Sequence, residues 1–227
     1  MFLKKNLVLA FLCLTALAGG LEAQTRNVFV LPASGTVVQA YTSDSFGPTA
    51  NFSAAPAPFL VLANANASKY YVISKSPTNT VVVVDGTNFS TLITGKFNFN
   101  ANADAAAITP DGKRLIVLAG GVHIIDIASD TDLTPSGIGL TTAANDLAIS
   151  LDSSRAFLLN RGNSLVTSVD LTTNTLTGLT FPVPGVNTTV SLAPNGLLYV
   201  TAQNRIYEVD PKTLQLRFEI PLNATPG

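Results

Sequence analysis

The chain has 227 residues, 47% of them hydrophobic and only 12% charged, with 13 basic against 14 acidic side chains. A formal net charge of −1 without a block of like charges excludes an electrostatic nucleic-acid surface. One cysteine (Cys13) and one histidine (His123) exclude cysteine zinc sites, iron–sulfur clusters and any two-histidine metal site within the chain.

Reading from the start, Lys4 and Lys5 precede a largely apolar run from Leu7 to Ala18, with Ala16-Leu17-Ala18 or Leu21-Glu22-Ala23 as cleavage sites. The run is shorter than the ~20 apolar residues a membrane-spanning helix requires, so residues 1–23 read as a secretory signal. The expected destination is the periplasm, the cell surface or the extracellular space, with no stable membrane span after cleavage. Leu12 before Cys13 is bulkier than the small residue that lipoprotein processing prefers. Lys4, Lys5 and Glu22 leave with the signal, so 13 basic residues become 11 and 14 acidic residues become 13. Cys13 leaves too, so residues 24–227 must be stabilised by core burial rather than disulfides.

Beyond the signal no segment sustains a 3.6-residue apolar period, whereas short runs of Val, Ile, Leu, Tyr and Thr recur between Asn, Gly, Asp and Pro. Residues 27–31 and 35–41 are the first two strands. A strand ending in aspartate then appears four times: Val81-Val82-Val83-Val84-Asp85, Val122-His123-Ile124-Ile125-Asp126, Leu165-Val166-Thr167-Ser168-Val169-Asp170 and Arg205-Ile206-Tyr207-Glu208-Val209-Asp210. The aspartates are 41, 44 and 40 residues apart. Before each of the last three lies a turn and another strand, opened by Thr109-Pro110-Asp111-Gly112-Lys113-Arg114, Ser150-Leu151-Asp152-Ser153-Ser154-Arg155 and Ala193-Pro194-Asn195-Gly196. A worn version, residues 66–73, precedes Asp85. Each unit has room for an inner strand (residues 104–109, 146–150), the two strands just described and an outer strand (residues 175–181, 214–220). Four strands per ~40–50 residues is a propeller blade, and blades must stack because one sheet cannot bury both faces alone. The expected fold is all-β, a β-propeller of four-stranded antiparallel blades with about five blades, at residues 27–56, 57–100, 101–142, 143–185 and 186–227.

The segment TPDGKRLIVLAGGVHIIDIASDT, residues 109–131, resembles the YVTN repeat of the YVTN/NHL-like propellers, in which a turn S-P-D-G-K-R leads into a strand, a V-I-D strand and a threonine. Residues 150–173 and 193–213 are similar but more worn, and Leu118-Ala119-Gly120 replaces the usual V-A-N. The resemblance spans about residues 27–220. It implies a propeller and says little of function, because such folds serve many roles. The first unit has no inner strand. In propellers of this kind that strand commonly comes from the other end of the chain, yet residues 221–227 read as a linker. The expectation is therefore an incomplete ring and an N-terminal piece of a longer protein.

Asp85, Asp126, Asp170 and Asp210 read as Asx-type acceptors for turn N–H groups, as do Asp111, Asp152 and Asn195 in the inner hairpin, where Pro110 and Pro194 pre-set the turn. His123 reads as a structural strand residue rather than a catalytic one. Asp104, Asn145, Asp146 and Thr188 open successive inner strands, which in a propeller face the central funnel. They form the candidate ligand site, and their oxygens would suit Ca²⁺, although blade two offers Phe59 there. No other cofactor is expected, and no catalytic set or dedicated metal site is assigned. Asn51, Asn66, Asn88, Asn187 and Asn223 open Asn-x-Ser/Thr sequons, most of them chance in so Asn- and Thr-rich a chain. The functional expectation is a non-enzymatic binding or scaffold module for a protein or glycan partner, a reading compatible with a module attached to adhesion domains. The alternative is a lactonase-like or other metal-dependent hydrolytic propeller working through the funnel, with Asp104 and Asp146 as its acidic groups.

Overall fold

A computed structural model describes residues 27–222 apart from 33–34, 44, 140–143 and 186, so the signal segment, Cys13 and Asn223 lie outside the described residues. The described residues contain no helix and five antiparallel sheets, none closed into a barrel. The first sheet has three strands, β1 (Asn27–Val30), β2 (Val37–Thr42) and β3 (Pro48–Ser53). The second is β4 (Pro58–Ala63), β5 (Lys69–Ser74), β6 (Val81–Asp85) and β7 (Thr91–Phe97). The third is β8 (Ala105–Ile108), β9 (Arg114–Leu118), β10 (Val122–Asp126) and β11 (Thr131–Asp132). The fourth is β12 (Asp146–Ile149), β13 (Arg155–Asn160), β14 (Leu165–Asp170) and β15 (Thr175–Pro182). The fifth is β16 (Asn187–Leu192), β17 (Leu198–Ala202), β18 (Arg205–Val209) and β19 (Leu216–Pro221). Each sheet follows chain order, the up-and-down meander of a propeller blade.

The chain forms two compact units, Met1–Asn102 with the first two sheets and Ala103–Gly227 with the other three. In the first, Phe29, Val38, Ala40 and Phe52 of the first sheet meet Tyr70, Val72, Val82 and Val84 of the second. Phe29 stands edge-on to Tyr70 at 4.7 Å between ring centroids, and Phe89 stacks on Tyr70 at 6.0 Å. In the second unit the middle strands show why they read as unbroken apolar runs. On β13, Ala156 and Leu158 pack against Ile116, Leu118, Val122 and Ile124 of the third sheet. The alternate residues Phe157 and Leu159 pack against Leu198, Val200 and Tyr207 of the fifth. Successive side chains on a strand point to opposite faces, so a sheet covered on both sides loses its polar alternation.

The turns repeat as regularly as the strands. In the inner hairpins of the second to fifth blades one position is left-handed, at Ala67 (φ +55°), Gly112 (+71°), Ser153 (+61°) and Gly196 (+80°). In the outer hairpins the fourth residue after the recurring aspartate is left-handed, at Phe89, Asp130, Asn174 and Leu214. Asn174 adopts this conformation readily, whereas Leu214 and Phe89 do so with their side chains packed between neighbouring blades. Arginines at the start of second strands lock blade to blade. Arg114 Nη1 donates to Asn174 Oδ1 at 3.5 Å, and Arg155 Nη1 to the Pro211 and Lys212 carbonyls at 3.3 and 2.9 Å. One feature departs from the repeat: the outer strand of the third blade is only the two-residue β11. The chain turns at Thr134, whose carbonyl accepts from Gly137 N, and rejoins β10 only at Ile138.

Candidate functional site

Asp104, Asn145 and Asp146 stand at or just before the inner strands β8 and β12, and Thr188 lies in β16 beside a register shift, its side chain outside the described residues. Within the second unit β12 runs beside both β8 and β16. Asp104 is exposed and its N–H donates to the Leu118 carbonyl. Asn145 caps the next turn, its Oδ1 accepting from Arg161 N at 3.0 Å. The Asp146 carboxylate accepts from three donors. Oδ1 accepts from Leu147 N at 2.9 Å, and Oδ2 accepts from Thr189 Oγ1 at 2.5 Å and Val190 N at 3.0 Å. β16 is an edge strand, so this carboxylate caps an otherwise unpaired edge N–H and ties two blades together. Asp146 is thus brought together with β16, and no hydrogen bond joins it to Asp104. No cluster of three or more His, Cys, Asp or Glu side chains able to hold a metal occurs among the described residues.

The recurring aspartates all sit in turns. Asp85 Oδ1 accepts from Thr87 N and Asn88 N at 2.7 and 3.0 Å, and Asp170 Oδ1 from Thr172 N and Thr173 N at the same distances. Asp126 Oδ1 takes the N–H and hydroxyl of Ser129, and Asp210 Oδ1 the N–H groups of Lys212 and Thr213. Backbone N–H donors hold the Asp85 and Asp170 carboxyls below their ordinary range, and the Ser129 hydroxyl does the same to Asp126. In the inner hairpin the Ser150 hydroxyl, followed by Ser154, lowers Asp152 to about 2. For Asp111, partial burial raises the carboxyl, but the Thr109 hydroxyl and Lys113 N–H outweigh it. Asn195 Oδ1 accepts from Leu197 N.

Two features escaped the sequence reading, the partner of the strand residue His123 and a cleft beside it. His123 is buried on β10 (4% exposed), its ring Nδ1 3.1 Å from Asp132 Oδ2. A carboxylate only accepts, so Nδ1 carries the proton. Asp132 Oδ1 accepts from Thr134 N at 2.8 Å, and Thr134 Oγ1 accepts from Ile124 N, supplying a ladder bond that the missing outer strand would have made. Burial pushes the Asp132 carboxyl up, but the bonds from His123 and Thr134 outweigh it and hold the carboxyl low. Beside this knot lies a cleft of about 410 Å³, lined by residues 134–138 of the third blade and 174–176 of the fourth. Its signal was Thr134-Pro135-Ser136-Gly137, a strand-breaking sequence where an outer strand was expected.

No protein-family model and no curated protein sequence matches the chain. Among solved structures it is similar to Kuenenia stuttgartiensis hydrazine synthase, at a TM-score of 0.61 and 17% identity over 71% of this chain and 48% of that one. The chain therefore spans about half the length of that structure. At such low identity the likeness carries the fold alone, and what it supports is an all-β architecture of propeller-like blades.

Proposed function

We propose that this chain is an exported propeller module of the YVTN/NHL-like kind that acts by binding a protein or glycan partner and catalyses no reaction. The observation that carries this reading is the occupation of its acidic groups. Asp146 is engaged by three donors, and Asp85, Asp111, Asp126, Asp152, Asp170 and Asp210 each accept from turn or hairpin donors. A metal-dependent hydrolase needs several convergent, available acidic or imidazole groups at one centre. The sole histidine is buried against Asp132 at the rim rather than standing on an inner strand. Export rests on the sequence pattern of residues 1–23, and N-terminal sequencing of the protein recovered outside the cytoplasm tests it, with a start at Gln24 or Gly19 expected. The functional reading is tested by incubating the protein purified from its source with a panel of lactones, with Ca²⁺ and with EDTA. We expect no turnover in either condition and no heat of Ca²⁺ binding. Lactone hydrolysis that EDTA abolishes would refute the reading and favour the hydrolytic alternative.

A further inference from the structure

One Asn-x-Ser/Thr sequon is presented in a form that the fold does not itself require. Asn88-Phe89-Ser90 lies in the turn between β6 and β7. Phe89 is left-handed (φ +59°), and its ring packs inward against Phe29, Phe52 and Tyr70. With that anchor in place, Asn88 and Ser90 stand exposed on either side of it. Asn88 Oδ1 accepts from Ser90 N at 2.8 Å, which fixes the amide in an Asx turn. Both Nδ2 hydrogens, and the Ser90 hydroxyl, are left without a hydrogen bond among the described residues. The turn needs neither side chain. In the outer hairpins of the next three blades the same two places hold Ser129 and Thr131, Thr173 and Thr175, and Thr213 and Gln215. There the recurring aspartate closes each turn through the backbone N–H of Ser129, Thr173 or Thr213. What Asn88 and Ser90 add is an amide with a hydroxyl two residues on, the acceptor pattern for an N-linked sugar.

The other sequons are placed differently. Asn51 lies within β3 opposite Gln39, so Asn51-Phe52-Ser53 is extended and built into a ladder. Asn66-Ala67-Ser68 makes the same Asx turn in the neighbouring hairpin, with Asn66 Oδ1 accepting from Ser68 N at 3.1 Å. Ser68 is engaged twice, however: its hydroxyl accepts from Asn64 Nδ2 at 3.0 Å and its carbonyl from Gly86 N at 2.8 Å. A side chain on Gly86 would collide with the Ala67 carbonyl, so the two turns pack together. The Asn187 side chain and Asn223 lie outside the described residues. Among the described sequons, only Asn88 combines an exposed amide with an unengaged hydroxyl outside a β-ladder. We propose that Asn88 is a glycosylation site of the exported chain, modified after its sheet has folded. The donor is an oligosaccharide carried on a diphosphate. Asn88 Nδ2 bonds to C1 of the sugar as the C1–O bond to the diphosphate breaks. The diphosphate leaves with that electron pair, and the amide proton passes to a base of the transferase. This rests on the export reading, because such a transferase meets only a chain that has left the cytoplasm.

The test is peptide mapping of the protein purified from its source, by mass spectrometry with a fragmentation method that leaves sugars attached. Trypsin cleaves after Arg26, Lys69, Lys75 and Lys96, so Asn88 falls in the fragment 76–96, and Asn51 and Asn66 fall in the fragment 27–69. The expected result is a glycan on Asn88 and an unmodified fragment 27–69. Asn88→Asp keeps the turn acceptor, as Asp111 does in the next inner hairpin, and should lose the added mass. Ser90→Ala leaves the Asn88 amide in place and should lose it as well, whereas Ser90→Thr should keep it. An unmodified fragment 76–96 on a chain that starts at Gln24 or Gly19 would overturn the inference while leaving export standing. Undiminished modification of Ser90→Ala would overturn it too. A glycan on fragment 27–69 would do the same, since addition would then precede folding. A chain that still carries residues 1–23 would instead remove the export reading, and the inference with it.

Discussion

Replacing Asp146 with alanine tests whether this carboxylate serves the fold or a ligand. The change deprives Leu147 N, Val190 N and Thr189 Oγ1 of their acceptor. Hydrogen bonds to a charged group contribute ~1.5–3 kcal/mol each when buried, and an orphaned N–H costs about 1–3 kcal/mol. Thr189 is exposed and its hydroxyl regains water, Leu147 is half-buried, and Val190 is buried while the carboxylate it bonds is half-buried. The sum is therefore about 2–3 kcal/mol, most of it from the edge N–H of Val190. For a chain of this size that lowers the melting temperature by roughly 5–10 °C. Thr189→Val removes one donor and should cost about 1 kcal/mol, with a coupling of ~1 kcal/mol to Asp146 in a double-mutant cycle. The sequence has no tryptophan, so unfolding is followed by circular dichroism in urea and by calorimetry. A loss below ~0.5 kcal/mol for Asp146→Ala, additive with Thr189→Val, would refute the inter-blade role. Asp146 would then return as a funnel ligand.

Three further outcomes follow from the repeat geometry. Ala67 occupies the left-handed hairpin position that Gly112 and Gly196 fill elsewhere, so Ala67→Gly should raise stability by about 0.5–1 kcal/mol in urea unfolding, strain relief exceeding glycine's entropy cost. The carboxyls of Asp85, Asp126, Asp152 and Asp170 are held low by turn donors in the folded chain, so they bind protons more readily once unfolded. Their contribution is present above the unfolded value near 3.8 and is lost as pH falls through the folded values, about 2 for Asp152. Melting temperatures should therefore drop between pH 4 and pH 2, and Asp152→Asn should flatten part of that slope. His123→Leu leaves the Asp132 carboxylate without its buried donor, at a cost of about 2–3 kcal/mol. Hydrogen exchange should then quicken at Ile138 and Leu133 before it does at β14.

The parts of this protein legible from the sequence alone are those in which a residue's partner is near it in the chain. The aspartate turns at Asp85 and Asp170 close within three residues, and each inner hairpin within four or five, so composition and spacing reveal them. The unbroken apolar runs such as Val81–Val84 reveal a sheet covered on both faces. What only the tertiary structure decided depends on residues one blade apart. Asp146 was readable as an inner-strand acid, yet its hydrogen-bond partners lie 43 and 44 positions away on β16, where they make it a staple between sheets. The same holds for the cleft beside Leu176, whereas Asp132 meets His123 only nine residues away on the same sheet, a contact set by the shortness of β11. Local hydrogen bonds are written by neighbouring residues, whereas stacking brings repeats together side by side, and a cleft exists only where two of them meet imperfectly.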